Sequence, residues 1–487
     1  MRISSIIPCV RNANGSGHEQ RRQTDGPGKD EVNRMNDFRK TAQEMLEFIR
    51  ISPTCFHAVA NIGRMLEAAG FQQLQEKEEW KLEKGGRYYT ERNDSSVIAF
   101  AIPEKEVGIR GFHMAAAHSD SPCFKIKEKP ELTVEEHYLR LNTEKYGGMI
   151  LSTWLDRPLS IAGRLAVKNG NGIEGRLVNI DRDLCVIPNV AIHMNREMNK
   201  GVEYNPQVDL LPLLADVSFD EYDTHTTYDA QTASENAEEQ PETVEKPTLA
   251  ALAAEAAGVD AETILGEDLF LYTRQEGKMI GAKGEFVLSP RLDDLQSAFA
   301  LTKAFTESTP AEYINLCAVF DNEEVGSGTR QGADSTFLED TLQRITEGLQ
   351  EGHSTYLRWV ADSFLISADN AHAVHPNHPE KADPANRPYL NGGIVIKYHG
   401  SQKYTTDGIS AAKMKDYCER AKVPYQTYAN RSDIAGGSTL GNISTAHVSV
   451  SSVDIGLPQL AMHSAVETAG MKDTEYAVRV LREFWGE

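Results

Sequence analysis

What the chain lacks narrows the field first. No uninterrupted apolar stretch approaches the ~20 residues a bilayer span requires, which excludes a helical membrane protein. Cationic charge is short, since 50 Lys and Arg face 72 Asp and Glu for a net charge of −22. Proteins that track nucleic-acid phosphates or anionic membrane surfaces rely on clustered Lys and Arg, so both classes are excluded. Cysteine is sparse and scattered, at Cys9, Cys55, Cys123, Cys185, Cys317 and Cys418, with no C-x-x-C pair. That excludes a disulfide framework and fits buried small hydrophobes in a reducing compartment. The apolar run at Ile6-Ile7 is too short for a secretory signal, so the expected location is the cytoplasm.

What remains is ordinary for a soluble globular protein: 487 residues, 40% hydrophobic and 25% charged. The length predicts two or three domains. Residues 1–34 are polar, Gly-rich and aperiodic, and read as a disordered tail or as an over-extended start, with Met35 the alternative. Phe38, Ala42, Met45, Leu46 and Ile49 recur at helical spacing up to Pro53. Val59, Ile62, Met65 and Leu66 mark a second helix closed by Gly70. Short apolar runs predict buried strands at 97–102, 112–117, 314–320, 364–368, 393–398 and 448–454, with helices at 294–305, 408–421 and 474–484. Such interleaving predicts an α/β sheet covered on both faces, carried by 35–119 and 281–487. Residues 120–280 have a different texture, with alternating residues and a hairpin signal at Asn169-Gly170-Asn171-Gly172, and read as an inserted β-rich domain. Within it, 216–245 holds ten acids and no Lys or Arg, as an exposed loop would.

Five stretches set His, Asp and Glu at expected strand ends. His118-Ser119-Asp120 follows the 112–117 run; a His there can reach a metal while a carboxylate two residues on holds its other nitrogen. Asp293-Asp294 precedes an apolar helix and could equally cap it. Glu323-Glu324, after strand 314–320, is the sharpest signal. Adjacent carboxylates at the end of an apolar strand are costly without a cation or shared proton. One can ligate a metal while its neighbour serves as general base. Asp369 with His372, and His463 near the C-terminus, complete the set. His118, one of Asp293 and Asp294, Glu324, Asp369 and His463 offer two imidazoles and three carboxylates. A bridging Asp would give two ions ~3.5–4 Å apart a His, a further carboxylate and a shared oxygen pair each. This donor set suits Zn²⁺, with Mn²⁺ or Co²⁺ as substitutes.

The strings HSDSP (118–122), SPRLDDL (289–295), FDNEEVGSGTRQGADS (320–335), SADNAHAVHPN (367–377) and QLAMHSAVETAG (459–470) resemble the aspartyl aminopeptidases, in order, from about Met35 to the C-terminus. These are di-zinc exopeptidases of the co-catalytic metallopeptidase group. The resemblance implies a mixed sheet flanked by helices with the inserted domain serving dimerisation. It assigns His118 and Asp369 to one zinc, Glu324 and His463 to the other, and Asp293 to the bridge, leaving Asp294 as a neighbour. Glu323 becomes general base and acid, Asp120 orients His118, and His372 contacts substrate. Lys397 and Tyr404 become the pocket for an acidic N-terminal residue. His193 becomes a catalytic, substrate-contacting residue that reaches a neighbouring subunit's site and helps stabilise the oxyanion. The implied partners are peptides with N-terminal Asp or Glu and further copies of the chain, as dimers building a dodecamer. The alternatives are a broad aminopeptidase, an N-deacylase, or a non-catalytic assembly protein on the same fold.

Overall fold

The computed structural model describes residues 29–104, 108–217 and 248–487, with side chains from residue 34 onward. Residues 1–28 of the expected tail 1–34 and residues 218–245 of the acidic stretch 216–245 lie outside the described residues. The first helix runs Lys29–Arg50, so it starts ahead of Met35.

A nine-stranded mixed sheet forms the centre. Its order is Gln72–Gln73, Arg87–Arg92, Ser96–Ala101, Ile314–Phe320, Phe112–His118, Phe364–Ala368, Ser451–Gly456, Ile394–Tyr398 and Tyr425–Ala429. The fourth to seventh of these run parallel to one another. Ile314–Phe320, Phe112–His118 and Phe364–Ala368 are buried at every residue, because helices cover both faces. A strand sealed on both sides needs apolar side chains on both, which is why these segments read as continuous runs. Successive residues alternate between two cores: Ala115, Ala117, Cys317 and Val319 face one, Met114, Ala116, Leu316 and Ala318 the other. The first core is closed by helices Lys29–Arg50, Cys55–Ala68, Leu292–Thr306, Gly408–Ala421 and Asp473–Phe484. The second is closed by Phe337–Gly348, His353–Ala361 and Leu440–His447. That last helix ends at His447, so the final parallel strand begins at Ser451 rather than at 448.

A second, six-stranded sheet is antiparallel throughout: Gly172–Asn179, Leu159–Asn169, Ile264–Thr273, Cys123–Val134, Tyr138–Tyr146 and Leu213–Asp216. Its first two strands form the expected hairpin, with Asn169 opposite Gly172 and Gly170 at φ +57° in the turn. A third sheet of five short strands sets Ser289 opposite Glu467 and Leu460 opposite Thr468. It therefore joins the 289–295 and 459–470 motifs edge to edge.

The register Phe320 to His118 puts the C-terminal ends of three parallel strands at one edge of the central sheet. Crevices at that edge are where open α/β sheets bind ligands.

Candidate metal centre

His118, the last residue of its strand, sits with Nε2 3.4 Å from Asp293 Oδ1 and 4.0 Å from Asp369 Oδ1. His463 approaches from the other side, its Nε2 3.6 Å from Asp293 Oδ2 and 3.3 Å from Glu324 Oε2. Asp293 thus turns one carboxylate oxygen toward each imidazole. Two donors on one tetrahedral ion with ~2.0 Å bonds stand ~3.3 Å apart, so these separations are those of atoms facing a common cation. Three overlapping groups bring donor atoms within 4.8 Å of one another: His118, Asp293, Asp294 and Asp369; His118, Glu323 and Glu324; Asp293, Glu324 and His463.

The imidazoles are also fixed from behind. His118 Nδ1 lies 3.1 Å from the Asp120 carbonyl oxygen and 3.3 Å from Asp120 Oδ1, and His463 Nδ1 donates to the Gly148 carbonyl at 2.5 Å. These contacts leave Nε2 free for a metal. Arg291, Asn322 and His463 all take positive φ, which costs a non-glycine residue about 1–3 kcal/mol and is tolerated where the surroundings enforce it.

The electrostatics point the same way. Burial among other carboxylates pushes Glu323 up to about 9, Glu324 to about 7 and Glu467 to about 8. Burial opposes charge on His463, but Asp293 and Glu324 outweigh it and raise the imidazole to about 11. His118 is likewise raised, with Asp120 and Asp293 overcoming its burial. Burial also works against an ionised Asp293, yet the flanking imidazoles hold it well below the usual carboxylate range. Buried charges left uncompensated cost several kcal/mol each. Asp293 Oδ1, Asp294 Oδ1 and Glu324 Oε1 are buried with no hydrogen-bond partner among the described residues. Oxygen and imidazole donors without thiolate, orphaned carboxylate oxygens and surplus negative charge fit a pair of divalent cations.

Ten of the residues expected from sequence converge here. Asp293, Glu323, Glu324, Asp369, His372, Lys397, Tyr404 and His463 line one open cleft enclosing about 820 Å³, with His118 and Asp120 buried behind it. His193 is not among them: it is exposed on the segment between Gly172–Asn179 and Leu213–Asp216. Lys397 is only 2% exposed, and its ammonium donates to the Asp369 carbonyl oxygen at 2.8 Å and lies 3.4 Å from Asp369 Oδ2. The Tyr404 ring stands 5.0 Å away.

Sequence reasoning missed Glu467 and Tyr146, which brace this set, and gave Asp294 no bracing task. Glu467 accepts the backbone N–H of Asp293 at 3.0 Å and that of His463 at 2.7 Å. Asp294 accepts the His118 backbone N–H at 3.3 Å. Tyr146 reaches in from the antiparallel sheet and donates to Asp120 Oδ2 at 2.7 Å.

Residues 48–485 match the family described as aminopeptidase I zinc metalloprotease, M18. The chain belongs to this family. It is 46% identical to the probable M18 family aminopeptidase 2 of Clostridium novyi, over 92% of this chain and 98% of that protein. The fold is shared with the Ape4 of a solved Ape4–Nbr1 complex, at 36% identity and TM-score 0.84, covering 93% of this chain and 86% of that one. The mApe1 of S. cerevisiae, solved as a dodecamer, is 26% identical with TM-score 0.76 over 92% of this chain and 97% of that one. The protein is accordingly a metallo-aminopeptidase of M18 type.

Proposed function

We propose that the protein removes N-terminal residues, Asp or Glu in preference, from peptides, using two zinc ions per chain. The observation that carries this reading is Asp293, whose two oxygens face different imidazoles. His118 and Asp369 would hold one ion, Glu324 and His463 the other, with Asp293 between them; Mn²⁺ or Co²⁺ suits the same donors. When bound, such a pair supplies Lewis-acid polarisation of a carbonyl and acidifies water.

The chain's own groups do the rest. Glu323 lines the cleft beside Glu324, and its backbone N–H is tied to Asp120 Oδ1 at 3.1 Å. Its carboxylate takes the proton of the attacking water and delivers it to the departing amine. Asp120 keeps His118 turned. Lys397 is the one Lys or Arg among the described residues lining the cleft, and it favours an acidic side chain through a charge-assisted hydrogen bond, with Tyr404 and His372 shaping the wall.

A homo-oligomer, dimers building a dodecamer, gives His193 a task it lacks within one chain. Its segment exposes Val190, Ile192 and Met194, apolar side chains that a second copy would cover. From there His193 of a neighbouring copy would help stabilise the oxyanion. The five described cysteines, none in a disulfide, suit a cytoplasmic setting.

Cleavage of Asp-, Glu- and Leu-terminal peptides by the zinc-reconstituted protein tests the reading. Asp and Glu should be preferred. A clear Leu preference rejects the acidic specificity, and cleavage confined to blocked N-termini points to an N-deacylase.

A further inference from the structure

Besides strand Cys123–Val134, which starts three residues after Asp120, the antiparallel sheet meets the metal centre through the end of strand Tyr138–Tyr146 and the residues after it. Tyr146 pairs with Cys123 in the sheet and packs its ring edge-on against Phe270 at 5.7 Å. Its hydroxyl nevertheless points out of that sheet. Asn322 Nδ2 donates to Tyr146 Oη at 2.8 Å, and Oη in turn donates to Asp120 Oδ2 at 2.7 Å. With the oxygen's acceptor role taken by Asn322, the phenol proton has one direction to go. Asp120 is the hub that receives it. Its Oδ1 accepts the Glu323 N–H at 3.1 Å and faces His118 Nδ1 at 3.3 Å, and its Oδ2 also accepts the Glu324 N–H at 3.2 Å.

The next residues grip the opposite side. Gly147, at φ +77°, lies where a Cβ would come 3.1 Å from Glu324 Cβ, so the backbone presses directly on that side chain. The Gly148 carbonyl accepts from His463 Nδ1, and Ile150 N–H donates to the His463 carbonyl at 2.9 Å. Asn322 itself is anchored by Thr329 at 2.7 Å and Gln331 at 2.9 Å, which fixes the donor end of the chain.

We propose that Tyr146 is a positioning residue of the metal centre: its hydroxyl, aimed by Asn322, locks the Asp120 carboxylate that sets the Glu323–Glu324 turn and stands beside His118, whose Nδ1 meets the Asp120 carbonyl oxygen at 3.1 Å. Together with Gly148 behind His463, it makes the antiparallel sheet a working part of the active site. The inference rests on the ligand assignment proposed above, not on the substrate.

Tyr146→Phe deletes the hydroxyl and keeps the ring. The test compares zinc binding by the metal-free variant and wild type, using a competing chelating dye, with a thermal melt and steady-state kinetics on a cleaved peptide alongside. Zinc affinity should fall measurably at one or both sites, by less than the roughly tenfold or more that loss of a direct partner of a metal ligand costs. kcat should fall several-fold with KM nearly unchanged. Tyr138→Phe, at the exposed start of the same strand, should match wild type throughout. If Tyr146→Phe does not fold, Asn322→Gly retains the phenol, tolerates the positive φ and removes the donor that aims it, so it should weaken zinc binding in the same way. Should both fold, the double variant should be no worse than the more affected single one, because both act through one proton. Wild-type zinc affinity in a folded Tyr146→Phe or Asn322→Gly protein overturns the proposal, as does a lowered melting temperature as the sole effect. The zinc titration stands alone if no peptide is cleaved, so failure of the proposed activity and failure of this inference read out separately.

Discussion

Replacing Glu467 by Gln exchanges one oxygen of a buried side chain for an NH₂ group and leaves its shape intact. Both oxygens are engaged, Oε2 by the Asp293 N–H and Oε1 by the His463 N–H. An amide has one accepting end, so in either orientation one backbone N–H faces an NH₂. Glu467 is 2% exposed, so water cannot take over the lost role. Stranding a buried donor costs about 1–3 kcal/mol. At about 1.4 kcal/mol per tenfold, that is a factor of roughly 5–150. The two affected backbones carry the proposed bridging ligand and a ligand to one ion, so the cost should fall largely on metal binding. We expect zinc affinity to drop about ten- to hundredfold. The melting temperature should fall by no more than about 4 °C per kcal/mol that reaches the fold. Competition titration of the metal-free protein, paired with a melt and with kcat, measures each share. Wild-type zinc affinity in the variant would refute the reasoning, even if the melt moved, because Glu467 would then support the fold and not the ligands.

Glu323→Gln should keep its zinc and lose roughly 10²–10⁴-fold in kcat, the range of a general base; metal analysis with single-turnover kinetics checks this, and near-normal turnover rejects the role. Near neutral pH the metal-free centre holds protons on His118 and His463, the latter raised to about 11 by Asp293 and Glu324 against its burial, so zinc binding should release protons. Calorimetry in two buffers of different ionisation enthalpy measures that release, and none at all would contradict the assigned ligands. Burial lowers His113 from 6.5 to about 4. Because the folded value lies below the unfolded one, stability is intact above about pH 6.5 and declines as pH falls toward 4, by about 3 kcal/mol in full. Denaturant titrations across that window should show a shallower decline for His113→Gln, and parallel curves would rule His113 out as a source. Lys397→Met should cut kcat/KM for Asp peptides at least tenfold while sparing Leu peptides, as loss of a charge-assisted bond requires; equal losses on both would make Lys397 a support for Asp369 alone.

What could be read before the fold was known follows a physical division. Strands sealed on both faces leave uninterrupted apolar runs, so Ile314–Phe320 and Phe364–Ala368 match the expected 314–320 and 364–368 residue for residue. Helix Leu440–His447 left no such trace: Gly441, Asn442, Ser444 and Thr445 are poor helix formers without an apolar period, and it displaced the start of the last parallel strand. As candidates, His118, one of Asp293 and Asp294, Glu324, Asp369 and His463 stood out because ionisable side chains at the ends of apolar runs are anomalous unless something binds them; the resemblance alone singled out Asp293. Their supports did not stand out. Gly148 acts through a carbonyl that every residue possesses, and Glu467 gains its place from pairing opposite Ser289 in a sheet of short strands. Tyr146 sits at the end of an ordinary alternating strand, where nothing local distinguishes it from a core tyrosine. Side chains proposed to bind were visible as types; apart from Asp120, those that orient them were visible only as positions.

Distance settles how a chain of net charge −22 can be expected to favour acidic N-termini. Charges farther apart than about 8–10 Å across solvent are largely screened at physiological salt, so the surface contributes little inside the cleft. There the carboxyl groups of Asp120, Asp293, Asp294, Glu323, Glu324, Asp369 and Glu467 gather around His118, His463 and Lys397. With no metal bound, that cluster limits its own charge by holding protons, which is what the raised Glu323, Glu467 and His463 values express. It would repel an acidic side chain. Two divalent ions would become the largest charges in the site and reverse its sign. Lys397, kept charged because Asp369 outweighs its burial, already stands at the cleft wall. The proposed acidic selectivity would therefore belong to a few ångströms of the loaded cleft, while the net charge of the whole governs behaviour in solution.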